Sequence, residues 1–573
     1  MAEPVSAADP QAPEDRRRRP VAGSARRRAV GVCAVILGCL LAAGCGSKSG
    51  SGRPGGAAKS ATLVFAMSGD AASLDPAYAS DGNSWTPDQA LFETLVDSEP
   101  GSTDIGPGLA TAWKPNAAGT RWTFTLRDGV KFHDGTVLDG AAVCFNFERW
   151  YHFKGVQQSS SVSAWWQNVF GGFARNESKT LPPSLYRSCT AADPKTAVIA
   201  LTRPSASFLP AISMVPFAIA SPTALRKYQA DKVGGNTSTP SFTSAFATDH
   251  PTGTGPFVFD RWEHGDRIVL KRNDHYWGPK PKIGKLVLRI IPDATARLQE
   301  LQSGGINGYT SVSPSSLGQL GGDSQFEVYS AKPFAIGYTT LNTAKPPLDD
   351  VRVRQALAYA IDDKSLIRAK LPEGTEQTTQ VVPSSLPGYS ESAPEYPYDP
   401  AKARQLLAEA GQPHPRIEFW YPTDVSRPYM PSPQDVFQVI SADLEKAGFQ
   451  VKAKAVPWAA YVGGVIAGDA QAALFGVIGS YPDASYFLNL VAQQQFRGDI
   501  RTHVQGELRA ADQVTDAAKR AATYERISAE IAAKVPVVPY GNLPQFTVFT
   551  ANVKNFKPSP LGDVNFNDLE IAD

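Results

Sequence analysis

The 573-residue chain contains five cysteines, four methionines and seven histidines, and only 19% of its residues are charged. The histidines fall without metal-ligand spacing, no paired Cys-x-x-Cys occurs, and neither a Gly-x-Ser-x-Gly nucleophile turn nor a His-Glu-x-x-His helix is present. Residues 52–60 end in Lys59-Ser60 like a phosphate loop, but Ala58 stands where the glycine is needed. These absences exclude the common hydrolase, zinc-enzyme and nucleotide-binding signatures. They leave no catalytic residue, metal or cofactor to assign, and they leave a binding role. A dominant charge is also missing. The formal net charge is +1, and the first 44 residues carry seven arginines against four acids, so the remainder holds 49 basic and 51 acidic groups. A body this close to neutral argues against nucleic acid as the main partner.

At 42% hydrophobic residues, a chain of this length can bury large cores in two or more lobes. Arg16 to Arg19 and Arg26 to Arg28 precede an apolar run over residues 29–41 that is too short for an ordinary membrane span. Ala42-Ala43-Gly44 then lead to Cys45 and a Gly/Ser-rich stretch. The arrangement resembles a bacterial lipoprotein cleavage site. It implies a signal peptide over 1–44, a lipidated Cys45 that anchors the protein to the outer face of the cell membrane, and a flexible tether over 45–60. Cys39 is a competing position, and a cleaved, unlipidated export signal is the alternative. Once Cys33 and Cys39 leave with the leader, Cys144 and Cys189 remain as a candidate disulfide, with two separate buried thiols as the other reading.

Residues 108–150 organise the rest. Trp122, Phe124 and Leu126 alternate with Thr123 and Thr125, which predicts a strand with one core face. Asp128-Gly129 and Asp134-Gly135 predict two turns, and Asp139 predicts the cap of a following helix that carries Phe145. Further on, Val353, Leu357, Ala360 and Ile361 share a helix face, as do Ala403, Leu406, Leu407 and Ala410. Phe437, Ile440 and Leu444 repeat at helical spacing before Gly448 and an alternating strand from Phe449, the rhythm of an α/β lobe.

Leu109, Ala110, Trp113, Thr123, Phe124, Leu126, Arg127, Gly129, Val130, Phe132, Asp134, Gly135 and Thr136 stand in the order of a known signature. The stretch closely resembles that of the solute-binding proteins of family 5, the dipeptide, oligopeptide and nickel-binding receptors of ATP-binding cassette importers. Gly253-Thr254-Gly255-Pro256-Phe257 and Asp350-Val351-Arg352-Val353-Arg354 resemble two further motifs of that family. The resemblance implies a two-lobed α/β fold of the type II periplasmic-binding-protein class with an extra subdomain. The expected boundaries are first-lobe core over 61–100, extra subdomain over 101–194, core again over 195–305, second lobe over 306–540, and a return to the first lobe over 541–573. The first crossing is expected near 306–311 and the return near 537–540, and residues 91–96 are read as an early helix.

The resemblance also implies a receptor, not an enzyme, that closes on a solute by hinge motion and delivers it to permease subunits, as a monomer. Three places are the candidate ligand contacts. Asp70, Ala71 and Ala72 resemble a segment whose backbone pairs with extended ligands. Trp458 matches an aromatic near the cleft, with a packed core tryptophan as the alternative. The loop with Val477, Ser480, Tyr481 and Asp483 resembles one that reads Trp-x-x-Asp-Tyr in peptide-binding relatives, where the Asp meets the ligand's α-ammonium. Here Ser480 takes the Asp position and Val477 the Trp position; a serine cannot neutralise a buried ammonium. Asp483 stands nearby as a substitute. Peptide is the expected solute. An oligosaccharide stacked on Trp458 or on Trp420-Tyr421, or another small organic solute, stays open, as do a secreted hydrolase and an exported scaffold.

Overall fold

The turn chemistry of the organising stretch sets its structure. Gly129 and Gly135 take φ of 72° and 82°, the left-handed region that only glycine enters freely, and the Asp139 side chain accepts the Ala142 N–H at 2.8 Å to start the helix Gly140–Tyr151. This is a computed structural model, and it describes residues 61–494 and 498–572; the expected leader 1–44, Cys45 and the tether 45–60 lie outside the described residues. Among the described residues no helix is long and apolar enough to cross a membrane.

The strand Arg121–Leu126, with Phe124 and Leu126 buried, belongs to a four-stranded antiparallel sheet. Its order is Ala110–Pro115, Arg121–Leu126, Thr196–Leu201, Tyr186–Asp193. Thr196–Leu201 pairs on both sides, so the extra subdomain runs past the boundary expected at 194, which would split a hairpin. Helix Gly140–Tyr151 lies against this sheet, and the Cys144–Cys189 disulfide joins the two, with the Cα atoms 5.0 Å apart.

The first lobe is built on a mixed seven-stranded sheet. Ala61–Met67 lies at its centre, parallel to Ile283–Ile290 on one side and to Gly308–Thr310 on the other. Phe546–Thr550 comes next, inserted antiparallel between Gly308–Thr310 and Phe326–Ser330. The second lobe is built on a five-stranded sheet in the order Gln450–Pro457, Arg416–Thr423, Ala472–Ile478, Ala335–Leu341, Val537–Leu543. Both faces of that sheet are covered, by Val353, Leu357, Leu407 and Ile440 on one side and by Phe487, Leu488, Val504 and Ile527 on the other. That is why Ala335–Leu341 is buried along its whole length.

Gly308–Thr310 and Phe326–Ser330 both pair in the first sheet, so the first crossing lies at 331–334 and not at 306–311. Val537–Leu543 is a second-lobe strand, so the return falls at 544–545 and not at 537–540. The two crossings touch, with the Ala331 N–H donating to the Gln545 carbonyl at 2.9 Å, and each carries a proline, Pro333 and Pro544. The early helix is Gly82–Leu91, capped by Asp81, and the 91–96 stretch leaves it in extended conformation at Phe92.

Candidate functional site

Two turns from distant parts of the chain meet behind the end of helix Gly82–Leu91. A Cβ on Gly253 would lie 2.1 Å from the Leu91 carbonyl oxygen, and one on Gly255 would lie 2.6 Å from that of Ala90, so both positions need glycine. His133 ties this turn to the organising stretch: its Nε2 donates to the Gly255 carbonyl at 3.0 Å and its Nδ1 accepts the Gly253 N–H at 3.3 Å. Such a pairing requires a neutral ring. Burial lowers the His133 pKa to about 4, against the opposing pull of the Gly255 hydrogen bond and the Asp134 charge.

Because the unfolded chain binds this proton more readily, the His133 contribution is fully present above the ordinary histidine range and is lost as pH falls toward about 4, by roughly 3 kcal/mol at most. Denaturant unfolding of the wild type and His133→Asn between neutral and mildly acidic pH checks this. The stability difference between the two proteins is expected to shrink as pH falls; an unchanged difference refutes the assignment.

What the turn supports is Glu93. Thr254 Oγ1, Tyr276 OH and Trp277 Nε1 donate to its carboxylate at 2.7, 2.7 and 2.8 Å. Burial raises the Glu93 pKa, and the hydrogen bonds from Trp277, Thr254 and Tyr276 oppose the rise. The Arg127 guanidinium lies over the Trp277 ring, 4.5 Å from its centroid.

In front of Glu93 opens a cavity of about 1700 Å³, counting the space open to solvent. Its first-lobe walls come from the end of helix Gly82–Leu91, residues 92–101, 106–108, 213–218 and 276–279, and the C-terminal segment 557–568. Ser480 lines it from the second lobe. The lobes also meet directly beside it. The Asp512 carboxylate accepts the Ser207 N–H and hydroxyl at 2.9 and 2.7 Å, the Ala206 N–H donates to the Asp512 carbonyl at 2.8 Å, and Tyr481 packs on the core of the extra subdomain.

Of the residues expected from the sequence, Ser480 is the one in the cavity wall, and its hydroxyl donates to Tyr486 OH at 3.0 Å. Val477 is 2% exposed and packs in the second-lobe core, as the continuous apolar strand Ala472–Ile478 requires. Asp483 is buried and accepts the Ser485 N–H at 2.9 Å at the start of helix Ala484–Gln494; burial raises its pKa, opposed by Ser485 and Arg520. Asp70 accepts from Trp262 Nε1 at 2.9 Å and from Gly265 N–H at 2.8 Å, the Ala72 N–H is taken by Ser84 Oγ, and Ala71 is buried, so these three hold the fold. Trp458 begins the helix Trp458–Ala467, half-buried, with Arg427 over its ring at 4.6 Å. Trp420 is buried and Tyr421 stacks on Phe437.

The carboxylates of the cavity were missed, since nothing in the sequence around Asp97 or Asp563 marks them. Glu93 did leave a signal: it is the one charge in the apolar run 91–96, where a carboxylate demands partners. His503, Glu507 and Glu530 also come together, their ligand atoms within 4.8 Å, but Arg526 and Lys534 pair with the two carboxylates.

Known proteins share this architecture. The chain is 29% identical over 525 residues to the dipeptide-binding protein of Escherichia coli, covering 89% of this chain and 94% of that one. It is 29% identical over 526 residues to heme-binding protein A of Haemophilus influenzae, covering 89% and 92%. The solved periplasmic binding protein DppA of Helicobacter pylori, in complex with the peptide STSA, superposes with a TM-score of 0.72 at 26% identity over 89% of this chain and 98% of that one. The family model for the middle region of bacterial extracellular solute-binding proteins, family 5, matches residues 104–498, which take in the signature stretch, the Gly-Thr-Gly-Pro turn and most of the second lobe. The chain is a member of the bacterial extracellular solute-binding proteins of family 5.

Proposed function

We propose that this protein is the receptor of an ATP-binding cassette importer for short peptides, held at the outer face of the membrane by lipid on Cys45, acting as a monomer and catalysing no reaction. The observation that carries this reading is the cavity in the first lobe that Ser480 of the second lobe helps to line. A cleft at the meeting of two lobes suits a flexible chain with ordered water around its side chains. The relative named as dipeptide-binding and the neighbour solved with a bound peptide support it. The paired crossings at 331–334 and 544–545 supply the hinge, and the Asp512 to Ser207 contact is one that closure makes. A ligand shifts that equilibrium only through contacts it makes better in the closed state, so groups on both walls must touch it.

Ser480 favours a second reading, since it presents a neutral hydroxyl where an acid would meet a peptide amino terminus; a non-peptide organic solute fits that change. Native mass spectrometry of the mature protein, purified from its host without refolding, separates the two. A set of co-purified masses that fragment as peptides is expected. One defined non-peptide mass would replace the peptide reading with the second.

A further inference from the structure

The cavity walls carry five carboxylates, Glu93, Asp97, Glu99, Asp563 and Asp568, against a single basic side chain, Lys557. Elsewhere on the first lobe several acids are paired, among them Asp260 with Lys271 and Arg261, Glu263 with Arg261 and Arg267, Asp274 with Arg272, and Glu327 with Lys554. None of the five cavity acids is in an ion pair among the described residues. Asp97 accepts only the N–H of its neighbour Ser98, at 2.7 Å, and Asp563 accepts only the Gln89 amide, at 2.5 Å. On the same wall the Asn567 side-chain oxygen accepts no hydrogen bond. Trp85 and Trp277 also line the cavity.

Unpaired charges of one sign that converge on a confined space repel one another, and a counter-charge entering that space relieves the repulsion. Desolvation in the wall raises the Asp97 pKa to about 7, the Ser98 N–H opposes the rise, and the charges of Asp563, Glu93 and Glu99 add to it. We infer that the first-lobe wall is a cation subsite: Asp97 and Asp563 receive a positively charged group of the ligand, so that the receptor selects cationic solutes and supplies from this wall the negative charge that Ser480 does not. For peptides this rests on the reading given above.

The test is isothermal titration of the mature protein, freed of co-purified ligand, with Ala-Lys-Ala, Ala-norleucine-Ala and Ala-Glu-Ala, and separately with agmatine, a cation without a peptide bond. Ala-Lys-Ala is expected to bind about tenfold or more tightly than the norleucine peptide, with Ala-Glu-Ala weakest, and the gap is expected to narrow in high salt. In Asp97→Asn/Asp563→Asn, checked for folding by its thermal transition, the preference for lysine over norleucine is expected to collapse. Equal or inverted affinities in the wild type overturn the inference without need of any variant, as does a double variant that folds and keeps the preference. If no peptide binds, the peptide reading fails on its own, and agmatine decides the subsite: binding that the double variant loses supports it, and no binding overturns it.

Discussion

Arg149→Met is expected to destabilise the first lobe by about 3–5 kcal/mol, because it strips a buried carboxylate of its counter-charge. Arg149 is buried in helix Gly140–Tyr151, and its guanidinium donates to both oxygens of Asp75, at 3.2 and 2.7 Å, and to Tyr78 OH at 3.2 Å. The Asp75 side chain has 0% exposure, so no water replaces the lost partner. The outer contact, from Arg149 Nε to Asp231 at 2.7 Å, contributes less, since Asp231 is 64% exposed and screened. Asp88, close by, has both oxygens buried without a hydrogen bond, and burial followed by the charges of Asp75 and Asp81 raises its pKa well above the carboxylate range. As an acid it cannot supply the positive charge that Asp75 loses. Denaturant unfolding of R149M, Asp75→Asn and the double variant measures the coupling. The double variant is expected to recover most of the loss, since asparagine keeps the acceptor for the Ala77 N–H while carrying no charge. A double variant as unstable as R149M would mean that the guanidinium acts through packing.

Losing the bond between Cys144 and Cys189 is expected to be the next largest loss, about 4 kcal/mol for a loop of 45 residues in the chain-entropy account. The bond closes the chain across the insertion that carries the helix Ser160–Phe170 and the aromatic cluster of Trp150, Trp166, Phe170 and Tyr186. Without it, that insertion gains freedom in the unfolded state while the folded packing is unchanged. Thermal unfolding with and without reductant, together with Cys144→Ser/Cys189→Ser, checks this. Both treatments are expected to lower the transition by the same amount, and a reductant that shifts nothing would refute it. Helix Gly140–Tyr151 also holds Asn146, whose side chain exchanges hydrogen bonds with Ala220 at 2.9 and 3.2 Å. One helix therefore joins the extra subdomain to the first-lobe core by an ion pair, a disulfide, an amide pair and apolar packing.

The sequence made the start of that helix legible and left its role hidden. Asp139 and the glycine turns are local signals, readable within a few residues, whereas the partners of Arg149 lie 74 and 82 residues away. Trp122, Phe124 and Leu126 were readable because one face of their sheet meets solvent and the pattern alternates. Val477 was not, because Ala472–Ile478 is covered on both faces and carries no alternation, so its end was taken for a loop. The crossing was misplaced for a related reason. Gly308–Thr310 is too short to show a period, and its neighbour Phe546–Thr550 comes more than two hundred residues later. Ser480 was placed by resemblance, and it does line the cavity. The opposite wall stayed invisible because Asp97 and Asp563 are brought together only by the fold.

The order of strands in the first-lobe sheet also sets the order in which the molecule can be finished. The second lobe occupies an unbroken run, 335–543, and its first and last residues, Ala335 and Leu543, are register partners on adjacent strands. It can close on itself as soon as that run has been synthesised. The first lobe has no such freedom. Its sheet keeps a vacant lane between Gly308–Thr310 and Phe326–Ser330 until Phe546–Thr550 arrives, and the cavity wall that carries Asp563 comes later still. During biogenesis the domain whose chain begins first is thus the last to become whole, and the binding chamber is completed only as the final stretch docks.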